Sequence, residues 1–223
     1  MKNKKRRILL SIYKKLYTRF GPQGWWPARG AFEVMIGAIL TQNTAWPNVE
    51  KAIVNLKRDK LLSVRKMLRV PSRNLKAYIR PSGFYNEKAK KLKTFVKFLS
   101  RFCNGDINRL RVYDTERLRK EFLNIKGVGP ETADSMLLYA LNRPVFVVDA
   151  YTKRVFLRHK LISGNAGYDE TQDFFMSNLP KKVKLFNEYH ALIVAVGKNH
   201  CKKTNPFCGD CPLKTFKHGK DVV

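Results

Sequence analysis

No stretch of about 18 consecutive apolar residues occurs in this 223-residue chain, so no segment reads as a membrane-spanning helix. Acidic residues are scarce: 17 Asp and Glu stand against 45 Lys and Arg, for a formal net charge of +28. Such an imbalance favours a polyanionic partner. The alternatives are a solvated lysine-rich surface, with the N-terminal MKNKKRR segment lying free, or binding to a membrane surface. Convincing strand pairs, internal repeats and low-complexity linkers are all missing. Cysteines number only four, and a basic chain of this kind does not read as a disulfide framework. Polar residues interrupt ILLSIYKKLYTRF, which breaks any signal-peptide core and leaves a cytoplasmic protein as the expectation.

What is present is helical periodicity. Hydrophobic residues make up 44% of the chain, enough to bury the core of one globular unit or two small lobes. Apolar spacing predicts helices over 8–20, 31–40, 46–57, 61–70, 72–79, 86–102, 115–123, 131–141, 151–161, 168–179 and 185–196. Gly21-Pro22, Pro71, Pro81, Asn104-Gly105, Gly127-Val128-Gly129, Pro144 and Pro180 punctuate them. The fold class that follows is all-α.

The segment from Leu123 to Tyr151 is the most specific. Gly127-Val128-Gly129 breaks one amphipathic helix, and Pro130 suits the first position of the next. Two glycines this close let the backbone turn with N–H groups outward, a site for a phosphate that needs no side chain. The helix that follows places Ala133, Met136, Leu137 and Ala140 on one narrow apolar face. An extended apolar run, Pro144 to Val148, then delivers Asp149 to the start of another helix, as N-cap, site residue or both.

This segment resembles the helix-hairpin-helix and Gly/Pro-Asp signature of the endonuclease III superfamily of base-excision DNA glycosylases. Gly127 and Gly129 match its hairpin, and Asp149 its catalytic aspartate. Leu40 to Thr44 and Gly83 to Ala89 are similar to two further family segments, and the tail to its cysteine loop, so the likeness runs over about residues 30 to 215. It implies a two-lobed helix-hairpin-helix glycosylase fold with double-stranded DNA and the active site in the cleft. Residues 31–142 would form a six-helix barrel-like lobe, with 1–30 and 143–223 as a second helical lobe. It further implies a monomer associated with the nucleoid.

Bifunctional members of the family carry a lysine two residues after the second hairpin glycine, where its amine forms a Schiff base. Here that residue is Glu131, which cannot; its other reading is a first-turn carboxylate favoured by the helix dipole. Water would then be the nucleophile, with Asp149 stabilising charge on the sugar and accepting the proton. Trp25-Trp26-Pro27, Thr41 to Trp46, Arg80 to Asn86 and Gly129 to Asp134 resemble the 3-methyladenine DNA glycosylase branch. There the resemblance puts Trp25 and Trp46 on either side of a flipped base and leaves Trp26 structural. An alkylated purine is cationic, and indole faces favour cations. Phe84 matches the family's wedge, and Gln42 the residue that fills the space the base vacates. Lys88, Lys90, Lys91 and Lys93 read as a solvated basic face that also meets phosphates.

Cys201, Cys208 and Cys211 have the C-x6-C-x2-C spacing that opens the family's four-cysteine iron–sulfur loop, but Lys217 stands where the last ligand belongs. A [4Fe–4S] cluster would need His218, water or Cys103, although Cys103 also reads as a core residue. A [3Fe–4S] cluster, zinc with His218 or His200, and a loop without metal remain open. The resemblance implies a monofunctional glycosylase for alkylated purines, chiefly 3-methyladenine. Its alternatives are a bifunctional glycosylase/lyase on oxidised pyrimidines, using Lys126 or Lys153, and a non-catalytic lesion-binding protein.

Overall fold

The structure, a computed structural model, describes residues 2–217, with side chains from Asn3 onward. Among the described residues there are eleven α-helices and no strand, and no helix is long and apolar enough to cross a membrane. The chain divides into two compact units, Trp26–Arg143 and a second formed by Met1–Trp25 with Pro144–Val223.

The continuous unit holds α2 (Ala31–Leu40), α3 (Trp46–Arg58), α4 (Val64–Arg69), α5 (Ser72–Ile79), α6 (Tyr85–Phe102), α7 (Thr115–Leu123) and α8 (Pro130–Ser135). At its centre is α2, buried from Glu33 to Leu40 and packed against α3, α6 and α8. A helix apolar all round is what such a position requires. Its one carboxylate, Glu33, is neutralised by Lys57 at 2.5 Å. Ile36, Leu92, Phe95, Leu99, Leu118 and Phe122 complete a core with no exposed surface.

In the discontinuous unit, α1 (Lys2–Phe20), α9 (Ala150–Arg158), α10 (Tyr168–Met176) and α11 (Val183–Asn199) pack around aromatic rings. Phe146 stacks on Phe175 with centroids 3.9 Å apart, and Tyr189 meets both edge-on. The Tyr189 hydroxyl donates to Leu9 O (2.8 Å) and so fastens α11 to α1. Where α9 crosses α11, Gly197 lies so close to Tyr151 that a Cβ would stand 2.5 Å from its ring, which makes glycine a packing requirement there.

Helix ends depart from the periodicity for identifiable reasons. Residues Lys2–Arg7 do not lie free: they form the first turns of α1 with their side chains exposed from Lys4 on. Leu61 does not begin a helix but closes α3, its N–H bonding Leu56 O (2.8 Å) while Lys60 turns left-handed at φ 53°. Leu161 closes α9 in the same way on Phe156 O (2.9 Å), behind Lys160 at φ 54°. In each case that backbone bond closes a C-terminal cap, and the leucine carrying it mimics another helical turn in the pattern. The second hairpin helix is likewise not one narrow-striped α-helix. It runs from α8 into a π-helical turn over Met136–Ala140, and residues 132–141 are all buried.

Candidate active site and nucleic-acid interface

In the continuous unit the hairpin is built by local rules and then pinned. Asp114 caps α7, its Oδ1 accepting from Arg117 N (2.8 Å). Beyond α7 the chain turns through Gly127 at φ 91°, a conformation that glycine adopts without strain, and Gly129 caps α8 with Pro130 at its first position. Val128 is buried beneath the turn, while Lys126, Gly127, Gly129 and Pro130 are exposed. Arg119 on α7 makes a bidentate pair with the fully buried Asp134 on α8, at 2.8 and 3.2 Å, which fixes the two helices of the hairpin together.

Gln42 is drawn onto this hairpin. Its Nε2 donates to Gly127 O and to Thr132 Oγ1, both at 3.0 Å, and its Oε1 accepts from Lys91 Nζ at 2.5 Å. The Lys91 stem crosses the face of Gly127 so closely that a Cβ there would sit 2.6 Å from Lys91 Cγ. Gly127 is thus required twice, for its backbone angle and for the lysine that orients Gln42. Phe84 projects from the turn before α6, 70% exposed, with a left-handed backbone at φ 45°. A bulky residue in that region is uncommon and strained.

Trp46 opens α3 half-buried, its ring perpendicular to that of Trp26 at 5.4 Å. Trp26 in turn leans on Tyr139 at 5.4 Å and lies flush with Gly37, so it is fixed from several sides. Glu131 is exposed in the first turn of α8. Trp25, the last residue of its segment in the discontinuous unit, is half-buried.

Asp149 belongs to the discontinuous unit. The extended run before it is held by side chains: Gln172 Nε2 donates to Phe146 O (2.7 Å), and Val148 N bonds the Tyr168 hydroxyl (3.4 Å). Asp149 Oδ1 accepts from Thr152 N at 2.7 Å and so caps α9. Its Oδ2 lies 3.5 Å from His190 Nε2, with the two side chains 11% and 10% exposed. Burial pushes the Asp149 carboxyl up, but His190, by hydrogen bond and charge, and Thr152 together outweigh it and hold the group below its ordinary 3.8. The residue is both a cap and an ionised, half-shielded carboxylate. Sequence reading missed His190, which sits 41 residues on within the apolar repeat of α11.

A family model describing the HhH-GPD superfamily of base excision DNA repair proteins matches residues 36–181, a span containing both the hairpin and Asp149. The chain belongs to this superfamily. It is 51% identical over 217 residues, 97% of this chain and 98% of the relative, to a Methanocaldococcus jannaschii protein whose name assigns it to the DNA repair glycosylases. Endonuclease III of Thermotoga maritima is 28% identical and aligns over 82% of this chain and 80% of its own length. Among solved structures, the H. pylori 3-methyladenine DNA glycosylase MagIII bound to 1,N6-ethenoadenine superposes with a TM-score of 0.75 at 30% identity, covering 87% of this chain and 97% of that one. An endonuclease III–DNA complex shares the fold, with a TM-score of 0.82 at 24% identity over 95% and 94% of the two chains. The all-α glycosylase fold and the superfamily's link to DNA repair are therefore properties of this chain.

Of the four α6 lysines expected to form a solvated face in this HhH-GPD chain, Lys88, Lys90, Lys91 and Lys93, three depart from it. Only Lys90 keeps to it, exposed and paired with Glu87 at 2.8 Å. Lys91 is spent on Gln42, and Lys93 turns inward to the carbonyls of Met67, Leu68 and Val70 at the end of α4. Lys88 is 2% exposed. Carbonyls at helix ends drew in Lys88 and Lys93, and the Gln42 side-chain oxygen drew in Lys91.

Cys201, Cys208 and Cys211 line one pocket together with His200 and Arg158. Burial raises the Cys211 thiol, and the nearby Cys201 and Cys208 add to the rise. Arg158 reaches Cys201 Sγ (3.3 Å) and the carbonyls of Lys202 and Lys203, binding the loop to α9. The Lys217 carbonyl accepts from His159 Nδ1 (3.2 Å). His218 lies outside the described residues. Among those described, no three His, Cys, Asp or Glu side chains converge on a metal position. Cys103 is buried in the continuous unit with its thiol on Leu99 O. The donors described therefore fall short of a four-ligand iron–sulfur site.

Proposed function

We propose that this chain is a monofunctional DNA glycosylase that hydrolyses the N-glycosidic bond of alkylated purines, chiefly 3-methyladenine, and leaves an abasic site. What carries the reading is that the chain has an ionised, shielded Asp149 and, at position 131, a carboxylate where lyases of this superfamily need an amine. The hairpin around Gly127 and Gly129 would hold the phosphate backbone of double-stranded DNA, and Phe84 and Gln42 would occupy the duplex when the base leaves it. Trp46, with Trp25, would stack on the base. As the bond from C1′ to the base nitrogen breaks, its electron pair leaves with the base. Asp149 stabilises the positive sugar and takes the proton of the attacking water. Likeness to MagIII at 30% identity supports the alkylpurine assignment. The enzyme works as a monomer on nucleoid DNA. An iron–sulfur cluster at Cys201, Cys208 and Cys211 would need a fourth donor from beyond the described residues, and the reaction uses none of these cysteines.

The test is base release from methylated duplex DNA, with strand breaks scored before and after alkali. Release of 3-methyladenine with breaks only after alkali is expected. Breaks without alkali would move the chemistry to a lysine such as Lys126 or Lys153, and binding without release would make the protein a lesion sensor.

His190 gives this reading a pH signature. Asp149 lies below 3.8 because His190 and Thr152 outweigh burial, so its contribution to stability is present above the unfolded value and lost as pH falls through the lower folded one. With His190→Phe, burial is opposed by Thr152 alone. The acid limb of the rate profile is then expected at higher pH than in the wild type, as measured by single-turnover release. An unmoved acid limb would take His190 out of the control of Asp149.

A further inference from the structure

Lys88 is a buried cation that the proposed reaction leaves without a role. Its Nζ donates to Leu40 O (2.6 Å), Thr44 Oγ1 (2.6 Å) and Ser82 O (2.7 Å), using all three protons of the ammonium. These acceptors are two carbonyls and a hydroxyl, so the charge is buried on neutral oxygens. A methionine would fill the same space without the desolvation penalty, which makes the ammonium a poor choice for stability alone. The acceptors belong to three pieces of chain: Leu40 is the last residue of α2, Thr44 ends the turn that carries Gln42, and Ser82 lies two residues before Phe84.

The same residue holds the Phe84 turn a second time, through its N–H to Phe84 O (2.9 Å). Thr44 Oγ1, which accepts from Lys88, donates to Ser82 O (2.6 Å), and the fully buried Ser82 donates its own hydroxyl proton to Ile79 O (2.7 Å). A phenylalanine at φ 45° with its ring in solvent persists only where its surroundings over-determine the backbone, and these bonds do so.

We propose that Lys88 is a positioning residue that locks the Gln42 turn and the Phe84 turn into one rigid probe, so that wedge and gap-filling amide enter the duplex in a fixed relation. This rests on the roles given above to Phe84 and Gln42. Burial, helped by the like charge of Lys91, the charged group facing it, brings Lys88 down to about 8. Once deprotonated it has two N–H bonds for three acceptors, so the lock loosens as pH rises past that value.

The experiment uses the full-length protein and a duplex with 2-aminopurine beside a stable abasic analogue, reading unstacking by fluorescence and turn mobility by hydrogen exchange. Lys88→Met and Phe84→Ala are each expected to weaken unstacking about tenfold, and the double variant to be within about twofold of Phe84→Ala alone, because Lys88 acts through the wedge. Exchange in 41–44 and 82–84 should rise together in Lys88→Met. Affinity for undamaged duplex should stay within about threefold, since phosphate contacts are untouched. Should Lys88→Met not fold, Thr44→Val, which removes one leg of the lock at a half-buried position, and the fall of wild-type unstacking between pH 7 and 9 carry the test. If Phe84→Ala weakens unstacking while Lys88→Met or Thr44→Val does not, or if the losses multiply, Lys88 is not the lock. If Phe84→Ala has no effect, the wedge reading itself falls and the proposal with it.

Discussion

Asp149→Asn is expected to lower base release by about 10²- to 10⁴-fold, the usual worth of a positioned general base, while duplex affinity and melting stay close to wild type. The asymmetry follows from the two jobs of the side chain. As the cap of α9, Asp149 needs only an oxygen to accept from Thr152 N at 2.7 Å, and an asparagine amide supplies one about equally well. As a catalytic group it needs negative charge, which the amide lacks: it can neither stabilise a positive sugar nor take a proton from water. Single-turnover release, set beside anisotropy and a thermal scan of the same preparation, separates these jobs. Turnover at the wild-type rate would remove Asp149 from the mechanism. Parallel loss of release, binding and melting would mean that its role is structural.

Trp46→Ala carries the second large effect. Base–aromatic stacking is worth about 1–3 kcal/mol, so processing of methylated DNA should fall roughly 5- to 150-fold, with little change in binding to undamaged duplex. Trp46 also touches Trp26, however, and loss of that edge-on contact could mimic a functional defect. Trp26→Ala provides the control. Trp26 is wedged between Trp46, Tyr139 and Gly37, and its removal should act mainly on the melting temperature. Equal losses of processing and nonspecific binding in Trp46→Ala would undo the stacking assignment.

Much of this chain was legible because its signals are local. Gly127, Gly129 and Pro130 encode a turn and a helix start within four residues, and the apolar run 144–148 ends on a residue suited to cap the next helix. Helical periodicity placed Ala31–Leu40, Ser72–Ile79 and Thr115–Leu123 with the same ends that the structure gives them. It overran at Leu61 and Leu161, where a leucine directly after a left-handed lysine resembles one more turn. The resemblance of motifs added the superfamily, which the match over residues 36–181 establishes.

By itself the sequence determined an all-helical chain with a glycine hairpin, a capping aspartate after an apolar run, and no lysine at position 131. Those features depend on backbone preference and side-chain chemistry over a few neighbouring residues. Only the tertiary structure decided that Lys88 is buried on the oxygens of Leu40, Thr44 and Ser82, that Gln42 bonds a hairpin carbonyl 85 residues away, and that His190 faces Asp149. The reason is that a polar side chain's environment is set by which distant carbonyls and carboxylates lack partners when the helices pack. A lysine in an i, i+3 pattern carries no record of whether its ammonium will meet water or the unsatisfied end of another helix.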